Sequence, residues 1–242
     1  MSIHAVPRVT SPAARRVTAA PALTHWLWLA GGLALGFSIP FLLADVLELN
    51  RDLYYGLYAA VVVGYVGAWA AMTGQSVRRL VSRRLGLAVA LGIVAGAILT
   101  LMIYRTEDST PRPDGIELAA AIVWRGVVYG AADGLLLSVF PILVVFAAFA
   151  GTKLRERARG TVVVALIALT ASLAMTAVYH AGYSDFRGEK LRQPVAGDVV
   201  WSAPTLLTLN PVGAPIAHAA MHTAAVLHSY ETDTFLPPHS EG

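Results

Sequence analysis

The chain has 242 residues, 56% of them hydrophobic and only 14% charged, against roughly 25% charged in soluble domains. That balance excludes an ordinary soluble domain, and the absence of cysteine excludes disulfides, thiolate metal sites, iron–sulfur clusters and a cysteine nucleophile. The net charge of +3 does not indicate nucleic acid as a partner, because the basic residues stand in short clusters beside apolar runs, where membrane topology signals belong.

In chain order, residues 1–24, with Pro7, Pro12 and Pro21, read as a flexible cytoplasmic tail. Arg8, Arg15 and Arg16 precede the first apolar run, which is long enough for a retained anchor. Runs free of Asp, Glu, Lys and Arg follow at 26–44, 53–77, 85–104, 134–152, 160–184 and 199–230. Each has about the 20 residues that a helix needs to cross the hydrocarbon layer. Backbone polar groups cannot stay unpaired in lipid, and no alternating strand pattern is visible, so the expected fold is all-α: a polytopic transmembrane helix bundle over 25–228. About six to eight membrane segments are expected. The glycine-rich faces at Gly31, Gly32 and Gly36, and at Gly64 and Gly67, predict close helix packing. Arg78, Arg79, Arg83 and Arg84, and later Lys153, Arg155, Arg157 and Arg159, mark the inner side and place the N-terminus in the cytoplasm. The expected location is a bacterial inner membrane, with the lipid bilayer as the surrounding partner.

Residues 116–150 read as one long crossing broken near Pro141, and 199–228 as a re-entrant hairpin or two short helices broken at Pro204, Pro211 and Pro215. The last stretch, 229–242, carries Glu231, Asp233 and Glu241 without a basic residue and reads as an external polar tail. Ionisable residues inside apolar segments are costly and therefore informative. Glu117, Arg125 and Asp133 recur at multiples of four with Ala121 and Tyr129, which predicts one slanted polar stripe. His218 and His222, four apart, share a helix face, and His180 closes another apolar run. The mixed-charge stretch 183–194 reads as an aqueous loop leaving His180.

The order Trp124-Arg125-Gly126, then Ala177-Val178-Tyr179-His180, then His218 followed four residues later by His222, resembles the CAAX-protease and bacteriocin-processing (CPBP) family of intramembrane proteases over residues 116–228. The resemblance implies a helical protease scaffold in which Arg125, His180, His218 and His222 belong to the site and membrane peptides or proteins are the partners. The family's paired glutamates would fall at Ala120 and Ala121, and its motif-two Phe at Thr176. A hydrolase on this scaffold therefore needs Glu117 or Asp133 as its base. The alternatives are a non-catalytic membrane partner or assembly subunit, and a histidine-ligated protein holding zinc or haem through His180, His218 and His222. With Arg125 expected in the same cavity, its positive charge favours a site without metal.

Overall fold

A computed structural model describes residues 20–232 and 235–237. The expectations for Arg8, Arg15, Arg16, Asp233 and Glu241 lie outside the described residues. The helices are α1 (Ala22–Val46), α2 (Arg51–Met72), the short α3 (Val77–Ser82), α4 (Leu85–Thr106), α5 (Gly115–Ala148), α6 (Ala158–Gly182), α7 (Arg192–Thr208) and α8 (Gly213–His228). Five of them, α1, α2, α4, α5 and α6, are long and apolar enough to cross a membrane. The protein is an all-α, integral membrane helix bundle.

Sequence explains where several helices begin. Asn50 caps α2 by accepting from the Leu53 amide at 3.0 Å. Pro215 falls in the first turn of α8, where a missing N–H leaves no intrahelical bond unmade. Pro141 does not break α5: the backbone is π-wound over Leu135–Val139, and this looser turn absorbs the proline at the start of the next α-helical stretch. A second π-wound stretch covers Ile122–Tyr129. Pro204 likewise lies within α7, so the chain after Val199 forms two helices that meet at 209–212. Asn210 pins that turn to the α3–α4 corner, donating from Nδ2 to the Val81 and Arg83 carbonyls at 2.7 and 2.6 Å and accepting from the Val212 amide at 2.8 Å.

The bundle has two distinct ends. The stretches 77–84 and 153–159 carry eight Arg or Lys against one acid, Glu156. Arg83 and Arg155 lie together with the start of α1 and the 209 turn at this basic end. At the other end, Arg125 pairs with Asp52, the Thr110 amide donates to the His228 carbonyl, and Asp45 accepts from the Ser184 amide.

Helix α8 is wedged between α4 and α5, and glycine makes this possible. On α5, Gly126, Gly130 and Gly134 recur every four residues and lie against Thr223, Ala219 and Pro215 of α8. A Cβ on Gly130 would stand 2.9 Å from Ala219 Cα and 2.9 Å from the His218 carbonyl oxygen, both backbone atoms. On α4, Gly96 lies against Ala217 and Ala220 in the same way. Of the glycines expected to pack, Gly32 and Gly36 meet Phe140 and Met175, whereas Gly64 and Gly67 have no neighbour within 4 Å. The close approach that matters most to the site thus lies on α5.

Candidate metal centre

The glycine-lined contact between α5 and α8 brings Asp133 to His218 and His222. Asp133 Oδ2 lies 3.3 Å from His218 Nδ1 and 3.4 Å from His222 Nε2, and one ligand atom from each residue lies within 4.8 Å of the others. All three residues are buried. Two atoms each about 2.0–2.1 Å from a tetrahedral ion stand about 3.3–3.4 Å apart, so both measured spacings suit zinc-type coordination.

Hydrogen bonding around the cluster sharpens this reading. His222 Nδ1 lies 2.6 Å from the Phe235 carbonyl oxygen and donates to it, so in the neutral ring Nε2 carries a lone pair. That lone pair faces a carboxylate oxygen, and two acceptors at 3.4 Å repel unless a cation or proton stands between them. Neither ring nitrogen of fully buried His218 makes a hydrogen bond. Orphaned buried nitrogens are rare in folded proteins, and one ion among Asp133, His218 and His222 would satisfy the nitrogens that face the carboxylate. Tyr58 donates to the other carboxylate oxygen, Oδ1, at 2.8 Å and fixes the orientation of Asp133.

A cavity of about 20 Å³ adjoins the cluster, lined by Asp133, His222, His180, Tyr129, Trp201 and Phe235 among others. It has room for a water molecule and is too small for a porphyrin, so haem, one of the sequence alternatives, does not fit. His180 donates from Nδ1 to the Thr176 carbonyl at 2.8 Å, which leaves the lone pair on Nε2. His180 and His222 thus share one cavity with Asp133, and His218 adjoins it.

Two other sequence candidates are elsewhere. Arg125 binds Asp52 with two parallel hydrogen bonds of 2.9 and 2.8 Å and lies 4.9 Å from the Tyr230 ring centroid. Glu117 is exposed beside it in a separate recess that also includes Ala120 and Ala121. The convergence expected for Arg125 is therefore corrected. On the α5 stripe Glu117 is exposed and Arg125 half-buried, while the polar residues that lie buried in the core are Tyr129 and Asp133, and Asp52 at the start of α2 holds the guanidinium at the rim. The electrostatic objection to a metal falls with it, because the bound carboxylate neutralises Arg125 outside the cavity.

Sequence reasoning passed over three groups near the site. The first is the segment 235–237, expected as solvated tail, which is buried, with Phe235 and Pro237 on the cavity wall. The second is a tyrosine cluster. The hydroxyls of Tyr54, Tyr129, Tyr179 and Tyr183 bond one another at 2.6–3.0 Å, and Tyr55 stacks on Tyr129 with centroids 3.9 Å apart. The spacing of Tyr54 and Tyr58 on α2, and of Tyr179 on α6 and Tyr183 just past its end, four apart in each case, was the available signal. The third is Asp198, fully buried, which accepts from Thr176 Oγ1 at 2.9 Å and closely from Ser202 Oγ. Thr176 therefore links this second carboxylate to His180, which donates to its carbonyl.

The chain matches no protein-family model, and comparisons with curated proteins and with solved structures also find no match.

Proposed function

We propose that the protein is a membrane-embedded metallohydrolase whose Asp133, His218 and His222 hold a divalent first-row ion, with zinc the best fit. The observation that carries this reading is the buried carboxylate with two imidazole nitrogens at 3.3 and 3.4 Å, one of them orphaned and the other with its tautomer set by the Phe235 carbonyl. A set of three protein ligands would match catalytic rather than structural zinc sites, in which a further position is kept for water. Such an ion makes bound water nucleophilic at neutral pH. With an ion held there, His180 Nε2 would be the lone pair available to take a proton from water in the cavity, Tyr58 orients the Asp133 carboxylate, and the apolar wall of Trp201, Met221 and Phe235 would limit bulk water.

The proposed substrate class is a peptide. The chain's own Phe235 already presents a backbone carbonyl to His222 at the cavity wall. The order of Arg125, His180, His218 and His222 along the sequence, similar to that of CPBP proteases, agrees with peptide hydrolysis. We further propose seven crossings with the basic end cytoplasmic. Helix α8 runs beside α4 from Gly92, against Gly213, to Tyr104, which stacks on His228, so it covers most of the depth of α4. The site then lies toward the outer face.

The test uses purified protein in vesicles containing a labelled single-span membrane peptide. Cleavage that stops on chelation and returns with zinc supports the proposal. Cleavage that persists under chelator but is lost in Asp133→Asn would replace it with a metal-free mechanism in which Asp133 is the base, the second reading that the resemblance favours. A companion variant ending at Thr232 removes the carbonyl that orients His222. Zinc should bind about 10- to 100-fold more weakly to it, as when other outer-shell partners are lost. Competition with a fluorescent chelator measures this, and unchanged affinity would deny Phe235 its orienting role.

A further inference from the structure

At the basic end, far from the metal centre, a second cavity of about 170 Å³ forms where the start of α1, the α2–α3 corner, the end of α5 and the 209 turn meet. The charged side chains of its lining are both cations. Arg83 and Arg155 contribute guanidinium groups and Gln75 an amide. His25 accepts from Trp69 Nε1 on Nδ1 at 3.3 Å, which leaves its N–H on Nε2. Among the described residues no carboxylate lines the cavity, and neither Arg83 nor Arg155 forms an ion pair. Arg155 is held ready, donating to the Phe146 carbonyl at 3.1 Å with its guanidinium 5.2 Å from that ring's centroid. Two cations on long side chains that line a pocket with no carboxylate among the described residues lack one thing, an anion with several acceptor oxygens.

The remaining wall is apolar, from Leu80, Leu143, Phe146 and Ala147, and it lies at the helix ends, where lipid headgroups meet acyl chains. We infer that this pocket binds a phosphate ester, with Arg83 and Arg155 on the phosphate and the Leu143–Phe146 wall against the attached chain. The headgroup of an anionic phospholipid meets both requirements, and basic pockets between helices at the cytoplasmic surface are where such headgroups bind. Topology alone explains a basic surface, but not why two arginines enter one cavity free of acids.

The experiment uses the full chain in detergent micelles doped with phosphatidylglycerol or with phosphatidylcholine, and native mass spectrometry counts the lipid retained. Wild type should keep about one phosphatidylglycerol and discriminate against phosphatidylcholine. Arg83→Gln and Arg155→Gln should each lower retention by about fivefold. Gln75→Glu, which puts a negative charge in the pocket without removing an arginine, should lower it comparably. The control is Arg78→Gln with Arg79→Gln, which removes twice the charge of either single variant from residues that do not line the cavity. Equal loss in this control, or unchanged retention in Gln75→Glu and both single arginine variants, would overturn the inference. A further arm adds inorganic phosphate and glycerol phosphate. If these displace the lipid at comparable concentration, the phosphate site stands but its ligand is a soluble phosphate ester, and the lipid assignment is rejected.

Discussion

Asp133→Ala is expected to abolish metal retention and to destabilise the bundle by about 3–5 kcal/mol, the usual cost of removing one partner from a buried charged network. The change leaves the Tyr58 hydroxyl without its acceptor, and it takes away the anionic member of the proposed ligand set beside His218 and His222 in a buried site. Asp133→Asn separates binding from structure. The amide oxygen can still accept from Tyr58, so the loss of stability should be only about 1 kcal/mol, while loss of the anionic ligand should weaken metal binding more than about a hundredfold. Thermal unfolding in detergent and metal content, measured on the same samples, check both values. Full metal retention in both variants would remove Asp133 from the ligand set, and an unchanged unfolding midpoint for Asp133→Ala would deny the network its part in stability.

Gly130→Leu should be nearly as damaging although it changes no ligand side chain. The added Cβ would meet backbone of α8 at 2.9 Å, and backbone cannot rotate away as a side chain can. Overpacking of this kind costs about 1–3 kcal/mol, and relief requires α8 to move off α5, which carries His218 and His222 away from Asp133. The expected result is lower stability together with loss of the ion. Gly64→Leu is the control, because no atom lies within 4 Å of its Cβ position, and it should behave as wild type. If Gly130→Leu remains stable and metal-bound, the glycine seam does not set the site's geometry.

Much of the helical architecture was legible because lipid leaves few alternatives: an apolar run without charges must pair its own backbone. The histidine pair was legible too, since a spacing of four places both rings on one helix face. The stripe on α5 was only partly legible. Its four-residue spacing showed which residues share a face, but not that the face passes from the rim at Arg125 into the core at Asp133. The π-wound stretch Ile122–Tyr129, invisible to helical periodicity, lies on that path. Asp198 escaped notice because it sits just before an apolar run and looks like a loop residue, whereas α7 begins six residues earlier at Arg192 and carries it into the core. The burial of Phe235–Pro237 had no local signal, because a three-residue return of the chain onto α8 is fixed by one carbonyl and by the shape of the cavity.

The most direct test of the metal centre is elemental analysis of the full chain, purified without chelator and dialysed, beside the His218→Ala/His222→Ala double variant. One zinc, or another first-row divalent ion, per chain in wild type and none in the folded double variant is the predicted result. Wild-type protein that neither carries a metal nor takes up one equivalent of zinc on titration would contradict the account, as would metal that the double variant retains in full.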